Sequence, residues 1–372
     1  MKLCLFPNDP IIAYYEKGEI KERYYNPKNF FDEVHIISLI ENDIAESKVQ
    51  TLVGKAKLKI HSVGRPNLKN RAKIYPKIEN LVDDIKPDVL RAYSPFLSGW
   101  FAAKCSNELK IPFFLSLHTQ YDYNRKLVKR SNLKKYLALK YTEKFIEPFV
   151  IQKADKITIV FKIIEPYVIK HGGKKPELLY NKINFKQFSD AEPTESFPKP
   201  LIISVGRLIK EKNHKCIIDA MKNIDAHCLI IGDGPLNDEL TNKIKKGKLE
   251  AKVSIVKSVP NNKIQNFYKS AKVFALAYDP EQEGLPIPVI EAMASGLPIV
   301  IPHPKEGFSD GLEKVAIFSE RTPNSFSKNI HMLLENPDLQ KEFSVKSQKK
   351  AMDFDMNVIE TREAEIYGEL VK

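Results

Sequence analysis

The run from Tyr278 to Ile301, YDPEQEGLPIPVIEAMASGLPIVI, is compatible with few folds. It predicts a short helix over about Ile287 to Ala294, with Pro288 in the first turn, where a missing N–H costs nothing. Ser295-Gly296 then stops the helix, since glycine takes the φ > 0 position that follows one. Pro298 opens a buried strand, Ile299 to Ile301. Strand, loop, helix, glycine stop and strand make one α/β unit, with its loop at the carboxyl end of a strand. Open parallel sheets bind ligands at that end.

The loop and helix carry two carboxylates, Glu283 and Glu291, with seven residues between them. Glu283 precedes the helix beside the turn Gly284-Leu285-Pro286. Glu291 lies about 6 Å along it, at a rise of 1.5 Å per residue. Two acceptors so separated suit two hydroxyl-bearing parts of one ligand, such as a sugar and a ribose. The helix start favours a phosphate, although Pro286 and Pro288 each lack a donor. By themselves the two carboxylates could equally be solvated or engaged in ion pairs.

Upstream, the chain alternates candidate strands (Leu3–Phe6, Glu33–Ser38, Lys57–Ser62, Pro87–Leu90, Pro112–Leu117, Ala154–Phe161) with helical patterns such as Tyr75–Ile85 and Phe96–Glu108. Alternation of this kind predicts a doubly wound parallel sheet. At 372 residues the chain exceeds one ordinary core, so two domains are expected. The stretch Asp190–Pro200, polar and with three prolines, reads as the linker. After it, LIISVGRLIKEKN gives a buried strand, a tight turn at Gly206, and two cations, Arg207 and Lys212. A guanidinium and an ammonium after a strand suit a diphosphate. CLIIGDGPL ends a further strand in Gly232-Asp233-Gly234. The third glycine of a dinucleotide fingerprint is replaced by Asn237.

Several of these segments resemble glycosyltransferase family 4. Glu283 to Pro298, EGLPIPVIEAMASGLP, is similar to the family signature. IKPDVLRAYSP, IPFFLSLHTQYD, LLYNKINFKQF and LIISVGRLIKEKN are similar to other family segments. The resemblance implies the GT-B fold: two Rossmann-like doubly wound domains facing across a cleft. They would be an acceptor-side domain over 1–190 and a donor domain over 199–354, with a terminal helix of about 355–372 packing back on the first. It implies that Gly206, Arg207 and Lys212 hold the donor's phosphates and that the loop Gly232-Asp233-Gly234 lies near the nucleotide. Glu283 with Gly284, Leu285 and Pro286 would receive the transferred sugar, and Glu291 the ribose. His118, after the strand Pro112–Leu117, would act near the anomeric centre. The activity implied is retaining transfer from a nucleotide-diphosphate sugar, UDP- or GDP-linked, to a glycan or lipid-linked acceptor in polysaccharide or glycolipid synthesis. No cofactor or metal is expected, since Arg207 and Lys212 supply the cations. The one Asp-x-Asp, Asp353-Phe354-Asp355, lies beside the terminal helix and not at a strand end.

The chain departs from the family in places. Lys182 and Asn184 stand where the family's Asn-Gly-Val-Asp turn has glycine and aspartate. Where many members carry two glycines, the first-strand loop has only Gly18, which reads as part of a surface loop or, with Lys17 or Lys21, as the place where backbone approaches the donor.

The net charge of +12 favours anionic partners. Arg125–Lys140 holds seven basic residues and no acidic one. Leu133, Leu137, Tyr141 and Phe145 recur on one face, and Lys126, Arg130 and Lys134 on another. This reads either as a helix packed on its domain with a solvated basic side or as a contact for anionic lipid. No run is long and apolar enough to span a bilayer. The four scattered cysteines, Cys4, Cys105, Cys216 and Cys228, form no metal or disulfide pattern. Together these place the chain in the cytoplasm, with the inner face of the plasma membrane as an alternative. Two other activities stand as alternatives: a sugar-nucleotide 2-epimerase of the same fold, and a basic nucleic-acid-binding protein. The second lacks any known module, and no nucleic-acid partner is expected.

Overall fold

The computed structural model describes residues 1–194, 197 and 199–372, with all side chains in these ranges except that of Arg130. The expected linker Asp190–Pro200 lies partly outside the described residues. Contacts divide the chain into two units, Met1–Tyr180 with Glu360–Lys372, and Asn181–Ile359.

The first unit is a seven-stranded parallel sheet of β1 (Lys2–Phe6), β2 (Glu33–Ser38), β3 (Lys57–Ser62), β4 (Val89–Ala92), β5 (Phe113–Leu117), β6 (Lys156–Ile159) and β7 (Glu177–Leu178), in the order β3-β2-β1-β4-β5-β6-β7. The central strands are mostly apolar, as strands covered on both faces are. Leu3 to Phe6 and Phe113 to Leu115 are fully buried. Arg91 is their buried charge. It lies on β4, 3% exposed, and is held by Glu363, by the Tyr367 hydroxyl at 2.5 Å and by the Ser116 hydroxyl at 3.0 Å. A charge this deep persists only when paired. Glu363 and Tyr367 belong to the terminal helix Met356–Leu370, and Arg362 of the same helix forks onto Glu177. Those contacts fix the helix on this sheet.

The second unit is a six-stranded parallel sheet: β8 (Leu201–Val205), β9 (His227–Ile231), β10 (Val253–Val256), β11 (Val273–Ala275), β12 (Ile299–Pro302) and β13 (Ala316–Ser319), ordered β10-β9-β8-β11-β12-β13. The chain winds outward from β8 in one direction and from β11 in the other, so these neighbours flank the switch point. Ile202, Cys228, Ile230 and Val300 pack against Ile217, Met221, Phe326 and Ile330 to form one core. All four cysteines are free and buried, and burial raises the Cys228 and Cys105 thiols to about 12, so they act as small apolar residues.

Candidate functional site in the second unit

Helix Ile287–Ala294 starts after Pro286, whose extended backbone (ψ 143°) turns the chain into it. It ends in a glycine stop. Gly296 has φ 78°, its N–H bonds to the Met293 carbonyl at 2.9 Å, and the Leu297 N–H bonds to Ala292 at 3.0 Å. Strand β12 follows.

The loops after β8 and β11 meet at the switch point. The Asp279 N–H donates to the Glu211 carbonyl at 2.8 Å, joining one loop to the other. Across this seam the Lys212 ammonium donates to Glu283 Oε2 at 2.5 Å. Lys212 is 7% exposed, so its charge is balanced at close range. The Glu283 loop is braced from below. The Tyr278 hydroxyl donates to the Gly284 carbonyl at 2.9 Å, and the Gln282 and Glu283 N–H groups both reach the Asp279 carbonyl at 3.1 Å. Arg321, beyond β13, holds the Asp279 carboxylate at 3.4 Å. Arg207 is exposed at the mouth of the same loop.

Gly206, Gly232 and Gly234 serve backbone packing. The Gly206 N–H bonds to Ile231 at 3.0 Å, so the loops after β8 and β9 lie side by side. A Cβ at Gly232 would sit 2.0 Å from the Gly206 carbonyl oxygen, and one at Gly234 2.6 Å from that of Leu208. The Asp233 carbonyl accepts from the Leu208 N–H at 2.9 Å. Beneath Gly206, buried His214 bonds to its carbonyl at 3.3 Å and to the Ser204 hydroxyl at 3.2 Å. Burial lowers the His214 imidazole to about 4, so the ring is neutral.

Glu291 is approached from another side. Tyr268, fully buried on helix Ile264–Ser270, donates its hydroxyl to Glu291 Oε2 at 2.9 Å. That bond leaves the carboxylate half-exposed with one oxygen fixed. The structure thus gathers Gly206, Arg207, Lys212, Gly232, Asp233, Gly234, Glu283, Gly284, Leu285, Pro286 and Glu291 on the carboxyl-end loops of one sheet and the helix that follows them. The Asp-x-Asp does other work. Asp355 accepts from the Phe185 and Asn357 N–H groups at the start of the terminal helix, and Asp353 pairs with Lys350.

His118 belongs to the first unit. It follows β5, and its ring lies 5.6 Å from that of Tyr93, which follows neighbouring β4. His118 Nε2 and the Tyr93 hydroxyl are both buried with no hydrogen-bond partner among the described residues. Burial, and then the Arg91 charge, lowers the His118 imidazole to about 4.

One expectation needs correction. Arg125–Lys140 is not one helix. Asn132 breaks it, ending Tyr121–Ser131 and capping Leu133–Phe145 by accepting from the Lys135 N–H at 2.9 Å. Lys126 and Lys134 therefore do not share a helical face. The stripe Leu133, Leu137, Tyr141 and Phe145 is exposed and not packed. Arg125 is the buried one, 4% exposed, with its fork on both oxygens of Glu147 at 2.7 Å. Gly18 is the left-handed residue (φ 68°) after helix Ile11–Glu16.

Sequence reasoning missed Tyr268, Tyr278, His214 and Arg321. Tyr268 and Tyr278 fall in apolar patterns and read as core, His214 stands among polar and charged neighbours that give no sign of burial, and nothing in the chain around Arg321 links it to Asp279.

Two doubly wound parallel sheets in one chain define the GT-B class. A family model for "Glycosyltransferase Family 4" matches residues 32–187, and one for "Glycosyl transferases group 1" matches 185–350. The chain belongs to this glycosyltransferase family. Among curated relatives, the amylovoran biosynthesis glycosyltransferase AmsD of Erwinia amylovora is 31% identical over 42% of this chain and 45% of its own. The N-acetylgalactosamine-N,N'-diacetylbacillosaminyl-diphospho-undecaprenol 4-alpha-N-acetylgalactosaminyltransferase of Campylobacter jejuni is 31% identical over 49% and 50%. The chain thus spans about half the length of these relatives. A glycosyltransferase structure from Rickettsia africae superposes with a TM-score of 0.73 at 17% identity, covering 100% of this chain and 98% of the other. No helix among the described residues is long and apolar enough to cross a membrane.

Proposed function

We propose that the chain transfers a sugar, with retention, from a nucleotide-diphosphate sugar to a glycan or lipid-linked acceptor, in polysaccharide or glycolipid synthesis at the cytoplasmic side of the cell. The observation that carries this is the Lys212–Glu283 pair at the β8/β11 switch point, with Arg207 exposed on the same loop after β8. In the reaction the bond from the anomeric carbon to the diphosphate oxygen breaks, and charge grows on the leaving oxygens. Arg207 and Lys212 are the cations that meet this charge, which matters most where water is excluded. With these two cations the reading calls on no metal ion and no cofactor.

Glu283 orients Lys212 and accepts from hydroxyls of the transferred sugar. Glu291, fixed by Tyr268, accepts from the ribose. The acceptor hydroxyl forms the new bond to the anomeric carbon and loses its proton. Neutral His118 serves a sugar hydroxyl as donor or acceptor. The relatives' names support the acceptor class: one acts in amylovoran biosynthesis, the other on a diphospho-undecaprenol-linked glycan. The donor base, UDP or GDP, is the part the test resolves.

The test is thermal stabilisation by a panel of nucleotide-sugars, since a ligand that binds only folded protein raises Tm, followed by transfer assays with the donor found. Arg207→Ala and Glu291→Ala should each abolish stabilisation by that donor or cut transfer at least about a hundredfold. Unchanged transfer in both variants overturns the assignment. Conversion of the donor without acceptor would mark an epimerase instead.

A further inference from the structure

We infer that the helical pair Tyr121–Ser131 and Leu133–Phe145 is a docking surface for an anionic lipid bilayer. The argument starts from where its charges go. The hairpin holds two carboxylates, Asp122 and Glu143, with Glu147 just beyond it, and all three are engaged in ion pairs. Arg125 binds Glu147 and Asp122 at 2.7 Å. Lys170 reaches Asp122 at 3.0 Å and Glu143 at 2.9 Å. The hydroxyls of Thr142 and Tyr167 also donate to Glu147, at 2.7 and 2.5 Å. Lys140 also reaches Glu143 at 2.5 Å, so every carboxylate of the hairpin is already paired.

The outer face is left cationic and apolar together. Lys126, Lys129, Lys134, Lys135 and Lys144 are exposed, and none is paired with a carboxylate among the described residues. Between them stand Leu133 (65% exposed), Leu137 (59%), Tyr141 (39%) and Phe145 (55%). At four-residue spacing these four side chains form one stripe on the helix. Its breadth sets it apart from the scattered apolar residues of an ordinary surface. The patch continues sideways: Arg71 donates to the Tyr141 hydroxyl at 3.0 Å, and its guanidinium lies 5.4 Å from the ring of half-buried Trp100. Exposed leucines, aromatic rings and unpaired lysines along one helical pair are what an interfacial segment presents to acidic headgroups and the acyl boundary beneath. A protein partner would need carboxylates matched to each lysine. A bilayer offers a continuous negative surface that needs no register.

The test uses the full chain with phosphatidylcholine vesicles, either pure or containing about one-third phosphatidylglycerol. Binding is read by cosedimentation and by energy transfer from Trp100, the only tryptophan, to dansyl-labelled lipid. The phosphatidylglycerol vesicles should bind, the pure ones at least about tenfold more weakly, and salt should weaken binding. Lys129→Gln/Lys134→Gln/Lys135→Gln should reduce affinity about a hundredfold. Leu133→Ser/Leu137→Ser/Phe145→Ser, which keeps the charge, should reduce it at least about tenfold. Because these side chains are exposed, both variants should keep their Tm and their stabilisation by nucleotide-sugar, so this result is read separately from the transfer assay. Absence of binding, equal binding to both vesicles, or binding that neither variant weakens overturns the inference. So does a wild-type dimer in sedimentation that the apolar variant splits, since a second copy would then cover the face.

Discussion

Lys212 Nζ and Glu283 Oε2 lie 2.5 Å apart, although 71 residues separate them in the chain. Their loops follow adjacent strands at the point where the sheet reverses its winding, and a mostly buried ammonium needs such a partner. Lys212→Met should lower kcat for transfer by about 10²–10³-fold. Glu283→Gln should lower transfer and also cost about 1–3 kcal/mol of stability, because it leaves the cation unbalanced. Urea unfolding beside steady-state kinetics checks both. A fully active Lys212→Met enzyme would remove the cation from the mechanism.

Tyr268 acts through Glu291. Tyr268→Phe keeps the buried ring and removes only the hydroxyl that fixes one carboxylate oxygen. The expected outcome is a donor KM raised about five- to tenfold, with kcat changed less, and a stability loss of about 1 kcal/mol. A donor titration with the ribose-lacking analogue as control separates positioning from packing. If both donors lose equal affinity, Tyr268 merely supports the fold.

The glycines give a prediction of opposite signs. Gly232→Ala places a methyl 2.0 Å from the Gly206 carbonyl oxygen, so one backbone must move. It should cost at least about 2 kcal/mol and weaken donor binding, as Gly206 carries the cation loop with it. Gly368 lies in the terminal helix with nothing within 4 Å of a Cβ. There alanine should stabilise by about 0.5–1 kcal/mol. Chemical denaturation of both variants measures this, and a neutral Gly232→Ala would contradict the packing described.

His118 and His214 set an acid limit on stability. In the folded chain burial holds both near about 4, while in the unfolded chain they protonate near the ordinary value of about 6.5. Between those pH values the unfolded state binds more protons. Stability is therefore whole above about pH 6.5 and falls toward pH 4, by up to about 1.4 kcal/mol per pH unit for each ring. Unfolding free energies over this range, compared with His118→Asn/His214→Asn, should show a flatter slope in the variant. NMR titration of the two rings above pH 5 should show no protonation in the folded chain.

The sequence alone determined the elements and their kind. The helix Ile287–Ala294, its glycine stop and the strand after it are local matters of φ, missing N–H groups and apolar period, and they stand where the spacing placed them. The alternation of apolar runs with helical patterns likewise implied parallel sheets, because only those bury strands on both faces. The tertiary structure decided which side chains meet. Lys212 and Glu283 touch because β8 and β11 are neighbours, and Tyr268 reads as one more core aromatic until its helix places it against Glu291. The hairpin shows the limit most plainly. Periodicity grouped Leu133, Leu137, Tyr141 and Phe145 on one face, but whether that face meets a core or solvent depends on what packs beside it. Buried Arg125 pairs with Asp122, Glu143 and Glu147, while the stripe stands exposed. Local sequence fixes torsions and periods, whereas burial and pairing are properties of distant segments brought together.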